Sequence, residues 1–142
     1  MKKLFLFALT FALIISCSKK DIKFEAFSAE AFAFDIGDGT AEVNATVRVK
    51  GFTQTENDNN YNAAVAYDVD LIKPDSTVSK SVFKFIQNKA GKEPISDIAL
   101  EAQFSIDSTH QAGTYTLVFN ITDKVSENKT EGKVSFDLEW EL

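Results

Sequence analysis

The stretch "GTYTLVFNIT" (Gly113–Thr122) decides the fold. Tyr115, Leu117, Phe119 and Ile121 fall on one side of an extended chain, and Thr114, Thr116, Val118, Asn120 and Thr122 on the other. A period of two with one apolar side is the mark of a β-strand half buried in a core. "KVSFDLEWEL" (Lys133–Leu142) repeats it, with Val134, Phe136, Leu138, Trp140 and Leu142 inward and Ser135, Asp137, Glu139 and Glu141 outward. Between them "DKVSENKTEG" supplies turn residues, so the two segments read as an antiparallel hairpin.

Working outward, "EVNATVRVKGF" sets Val43, Ala45, Val47 and Val49 against Asn44, Thr46, Arg48 and Lys50. "YNAAVAYDVDLI" sets Tyr61, Ala63, Val65, Tyr67, Val69 and Leu71 against Asn62, Ala64, Ala66, Asp68 and Asp70. "KPDST" ends that strand with a turn on Pro74 and Asp75. "VSKSVFKFIQ" and "DIALEAQFSI" follow, the latter with Ile98, Leu100, Ala102, Phe104 and Ile106 on one side. The first segment, "IKFEAFSAEAFAFDI", places Phe24, Ala26, Ser28, Glu30, Phe32 and Phe34 together, with Glu30 as the exception. It reads as one strand, or as two broken near Ser28 to Glu30; its alanines and glutamates also suit a helix. The sum is an all-β chain of about seven strands. One-sided antiparallel strands bury their apolar faces by packing two sheets together, with a closed barrel as the alternative.

"DSTHQAGTYTL" (Asp107–Leu117) gives the sandwich a more specific likeness. An acid, a glycine-containing turn and a tyrosine opening the penultimate strand resemble the tyrosine corner of immunoglobulin-like sandwiches. The resemblance implies that the Tyr115 hydroxyl bonds to main chain a few residues upstream. Where antibody domains have a cysteine, this chain has Leu117, and the place of their tryptophan falls to Tyr61 or Tyr67. The likeness spans residues 22–142 and implies a single immunoglobulin-like domain, a fold that hosts many functions.

The N-terminus carries an address. Lys2 and Lys3 precede the apolar run "LFLFALTFALII" (Leu4–Ile15), the layout of a secretory signal too short for a stable membrane span. The run closes on Ile14, Ile15, Ser16 and Cys17, which resembles the lipobox of bacterial lipoproteins. That resemblance implies cleavage between Ser16 and Cys17 and a lipid on the Cys17 sulfur. Residues 1–16 are then the cleaved signal peptide, 17–21 the lipidated cysteine and its tether, and 22–142 the domain. Acyl burial contributes about 0.8 kcal/mol per methylene, so two or three chains hold permanently. The five residues from Cys17 reach less than about 20 Å, which keeps the domain close to the bilayer. Lys19 and Lys20 lie within headgroup reach. Ser18 after the cysteine resembles outer-membrane sorting in enterobacteria, and "SKKD" poorly matches the acidic signals linked to surface export elsewhere. The expected location is a bacterial membrane, periplasmic side or surface, with the outer membrane favoured.

Cys17 is the single cysteine, so the domain has no intrachain disulfide and depends on its core. The chain has 15 Lys+Arg and 21 Asp+Glu; loss of Lys2 and Lys3 leaves 13 against 21, a formal charge of −8. An acidic chain with Arg48 as its one arginine is a poor match for nucleic acid, whose phosphates need clustered cations.

Few residues suggest chemistry. His110 is the single histidine and lies in a predicted turn, away from any second nitrogen or sulfur ligand. Asp68 and Asp70 alternate as a glycosidase pair would, yet read as the water side of a sheet. "TENDNN" (Thr55–Asn60) gathers oxygens that calcium likes, without the glycine and distal glutamate of a dedicated loop. The triplets "NAT", "NIT" and "NKT" match a eukaryotic glycosylation signal that a bacterial lipoprotein does not meet. No phosphate-cradling glycine loop occurs. The expectation is a non-enzymatic binding or accessory module of the cell envelope, without cofactor or metal. Its alternatives are a glycan-binding adhesion module and, less favoured, a hydrolase of unknown type. The loops to watch are "TENDNN", "KPDST" and "DKVSENKTEG".

Overall fold

The computed structural model describes residues 21–141. The expectations for Ser16, Cys17, the tether lysines and Leu142 lie outside that range. Eight strands are present: β1 (Glu25–Asp35), β2 (Thr40–Lys50), β3 (Thr55–Asn57), β4 (Asn60–Ile72), β5 (Val78–Gly91), β6 (Ile98–Asp107), β7 (Gly113–Asp123) and β8 (Lys129–Leu138). They form an antiparallel sandwich of two sheets. One has the order β1-β2-β6; the other runs β5-β4-β7-β8, with β3 paired to the start of β4. The chain is all-β, with the immunoglobulin-like arrangement of first, second and fifth long strands against the rest.

The expected inward sets close over one core. Val43, Val47, Val49, Val65, Leu100, Leu117, Phe119 and Leu138 are essentially inaccessible. Tyr67 takes the place open to Tyr61 or Tyr67: it is buried, stacks on Phe119 with centroids 6.1 Å apart, and donates its hydroxyl hydrogen to the Glu101 carbonyl of the facing sheet. Tyr115 is 1% exposed and stacks on Phe136 at 5.6 Å. Its hydroxyl donates to the Gln111 carbonyl at 2.7 Å, four residues upstream. Burial, and the Asp75 charge nearby, raise its pKa above the ordinary phenol value. Trp140 donates from Nε1 to the His110 carbonyl at 2.9 Å, pinning the end of the chain to the β6–β7 turn.

The sheets lie close where β8 faces β1 and β2: a Cβ on Gly132 would lie 3.0 Å from Val47 Cγ2 and 3.1 Å from Ala26 Cβ, tighter than side chains ordinarily pack.

Three expectations change. The eighth strand is β3, inside the segment read as a polar loop. Asp58 and Asn59 take φ of 50° and 60° between the paired Asn57 and Asn60, the two-residue hairpin turn that asparagine and aspartate favour. The segment thus forms a tight hairpin, and among the described residues no cluster of three His, Cys, Asp or Glu is placed to hold a metal ion. Second, β1 does not put Phe32 and Phe34 inside. Third, Asp70 does not face water: it is 4% exposed. The last two changes share a cause, described next.

Candidate binding face

Both corrections come from serines in the left-handed backbone region. In β1, Ser28 has φ 49°, and the pairing with β2 slips by one residue between Phe27 and Glu30. One extra residue in a strand exchanges its faces from that point on. Before the bulge, Ala26 packs on the core; after it, Ala29, Ala31 and Ala33 do. Phe32 and Phe34 therefore point outward, 59% and 43% exposed, with ring centroids 6.3 Å apart in a near-parallel stack. Small inward residues suit this flank, because the sheets approach so closely at Gly132.

The register builds the rest of that face. Glu30, Thr46 and Glu101 form one row across β1, β2 and β6; Phe32, Asn44 and Gln103 form the next; Phe34, Glu42 and Ser105 the third. A shallow recess of about 310 Å³ lies among Glu30, Phe32, Asn44, Thr46, Glu101 and Gln103. Asn44 is oriented by donating to Glu42 at 2.9 Å. Rings beside amides and carboxylates form a surface that can stack on a ligand and hydrogen-bond it together.

The second serine, Ser81 (φ 51°), makes a wider bulge in β5, where Val69 pairs with Phe83 and Leu71 with Ser79. Here the freed groups turn inward onto Asp70. Its carboxylate accepts from Lys80 Nζ at 2.8 Å, from the Ser81 amide at 2.8 Å and from Asn120 Nδ2 at 3.1 Å. Burial alone would push this carboxyl up, but those three donors and the Lys80 charge outweigh it and hold it below the ordinary range. Asp68 accepts from Ser81 Oγ at 3.3 Å and Asn120 at 3.2 Å. Both acids line a recess of about 610 Å³ with Lys80, Asn120, Lys129 and Glu131. The sequence pair thus converges in a concavity, but Asp70 is committed to satisfying the bulge.

The remaining sequence candidates are turn residues. Asp107 accepts from the Thr109 amide at 3.1 Å and from the Thr109 hydroxyl, and lies 3.2 Å from His110 Nδ1. The hydroxyl is bonded to the carboxylate rather than to the imidazole, so the trio lacks the relay of a nucleophilic triad. Asp123 is a buried acid that sequence reading treated only as part of a turn. It is 1% exposed and accepts from the Thr53 amide at 2.6 Å, the Val125 amide at 2.9 Å and the Ser126 hydroxyl at 2.8 Å, joining the β2–β3 and β7–β8 loops. Burial opposes its charge, and these donors prevail, lowering its pKa.

Strand directions place the loops. The start of β1, the β2–β3 loop, the β3–β4 hairpin, the β5–β6 loop and the β7–β8 loop share one end. Of the watched loops, "TENDNN" and "DKVSENKTEG" lie at this end, and "KPDST" at the other. The outward phenylalanines were missed by sequence reading; the signal was Glu30, the one residue that broke the alternation.

No protein family and no curated protein matches the chain. Among solved structures it is similar to a Bordetella pertussis protein given the name ApaA (10% identity, TM-score 0.39, covering 79% of this chain and 88% of that one). It is also similar to the N-terminal domain of PorA (14%, 0.36, 75% and 81%) and to a protein from Archaeoglobus fulgidus (10%, 0.34, 81% and 98%). At these scores none bears on what the chain binds.

Proposed function

We propose that this chain is a lipid-anchored, extracytoplasmic bacterial lipoprotein whose domain is a non-catalytic binding or accessory module of the cell envelope. The observation that carries the binding part is the outward pair Phe32 and Phe34. A strand bulge with a left-handed serine sets two large apolar rings in water. Exposed rings contribute little to folding, and such patches mark contact surfaces. The anchoring part rests on the sequence from Lys2 to Cys17. With a tether of five residues, the end bearing "TENDNN" and "DKVSENKTEG" lies toward the bilayer, and the β1 face stands beside it, open to partners in the envelope. Outer-membrane residence follows the sorting resemblance at Ser18.

A second reading, glycan binding, draws on the same rings lying beside Asn44 and Gln103. The hydrolase alternative has less support, because Asp70 is held by three donors and Asp107 by its own turn.

Metabolic labelling with a fatty-acid analogue tests the anchor. Wild type is expected to incorporate label and fractionate with membranes, and Cys17→Ala to do neither; equal label on both contradicts the anchor.

A further inference from the structure

The sequence of β1 contains the same three letters twice: Glu25-Ala26-Phe27 and Glu30-Ala31-Phe32. In both copies the glutamate and the phenylalanine lie on the outer face of the three-stranded sheet. The first copy is filled. Lys50 on the adjacent strand β2 stands directly opposite Glu25, with its Nζ 3.1 Å from Glu25 Oε1 and 5.3 Å from the centre of the Phe27 ring. One ammonium thus satisfies a carboxylate and an aromatic face together. The second copy has no such cation. Opposite Glu30 stands Thr46, opposite Phe32 stands Asn44, and among the described residues neither Glu30 nor Glu101 has an ion-pair partner.

Beyond Thr46 in the same row, Glu101 lies two strand spacings from Glu30, about 10 Å at the backbone, and adds negative charge to this face. The recess between them is bordered by Phe32, Thr46, Asn44 and Gln103. Phe32 is more than half exposed, with Phe34 stacked beside its ring.

The cation has a route. Among the described residues β1 pairs only with β2, so its other edge offers unpaired main-chain groups along an 11-residue strand. An extended segment added to that edge would deliver a side chain beside Glu30 as β2 delivers Lys50 beside Glu25. We propose that the edge of β1 accepts an extended segment of a partner protein bearing a lysine or arginine, whose cation is seated by Glu30 and the Phe32 ring. This rests on the binding-module reading and names the chemistry of its partner. Charge selects the occupant: the three rows carry Glu30, Glu42 and Glu101, which repel anionic polymers. Two copies meeting through this face would set the same carboxylates against one another.

The test uses the full chain and a synthetic peptide of alternating threonine and lysine, its lysine-acetylated form, and neutral oligosaccharides, with binding followed by calorimetry. The lysine peptide is expected to bind. Acetylation should weaken it by about tenfold or more, and Glu30→Gln or Phe32→Ala in the protein by several-fold each. Melting temperatures of the variants establish that each is folded. Glu127→Gln, at the β7–β8 turn, should leave binding unchanged. Equal binding of the acetylated peptide overturns the cation seat, as does an equal loss in Glu127→Gln, which would mark general attraction to an acidic chain. Self-association that competes with the peptide and is lost in Phe32→Ala also overturns it. A neutral oligosaccharide bound on this face in place of the peptide overturns the seat but leaves the binding-module reading standing. No ligand of either kind on this face removes both.

Discussion

Two strands of this sandwich carry a serine in the left-handed conformation, and the bulges around them have opposite outcomes. In β5, Ser81 and Lys80 turn onto Asp70, and the donors released by the bulge find a buried carboxylate 2.8 Å away. In β1, Ser28 exchanges the faces of the strand and leaves Phe32 and Phe34 on the outer face, 59% and 43% exposed. The first bulge satisfies its groups within the fold, although β5 also exposes Phe85 and Ile86 beyond it; the second exposes the rings on which the proposed binding function rests. The comparison separates two outer faces that the sequence makes look equally polar.

The largest expected effect lies at the closed bulge. Asp70→Ala removes the acceptor for the Ser81 amide and Asn120 as well as for the exposed Lys80, and should cost about 1–3 kcal/mol in denaturant unfolding. A loss below about 1 kcal/mol would break the distinction drawn here. Titration comes next. The pKa values of Asp70 and Asp123 are lowered in the folded state, so their contribution is fully present above the unfolded carboxyl value and is lost as pH falls through the folded one. Melting temperature should hold steady from neutrality to about pH 4 and drop below it; in Asp70→Asn the drop should be shallower. The backbone is the third lever. Ser28→Gly relieves the left-handed conformation and should stabilise by about 1 kcal/mol with the register of β1 unchanged. The smallest effect belongs to the open bulge: Phe32→Thr, at the more exposed ring and with a strand-compatible replacement, should alter stability by no more than about 0.5 kcal/mol. A clear destabilisation there would mean that the ring belongs to the fold.

The fold was legible because strands that bury one face write a period of two. β2, β4, β6 and β7 do so without interruption, and Tyr115 announced its own bond through the turn before it. A break near Ser28 to Glu30 was legible; what escaped reading was its consequence, since one inserted residue reverses every later assignment and leaves the composition unchanged. In β1 the alternation still looked regular after Ser28, with only Glu30 out of place, so Phe32 and Phe34 were assigned to the core. Asp70 alternated with core residues as an outward side chain should. Its burial comes from a bulge on another strand, which no local pattern carries. "TENDNN" was read for its oxygens, although two consecutive turn formers between strand-compatible residues also spell a hairpin.

The most direct test of the contact surface is site-specific photo-cross-linking in intact cells, with the probe placed at position 32 or at position 129. Position 32 lies on the outer face of the β1-β2-β6 sheet, and Lys129 borders the recess on the opposite one. Adducts of defined mass are expected from position 32 and none from position 129; adducts from position 129 with none from position 32 would contradict a contact surface on the β1 face.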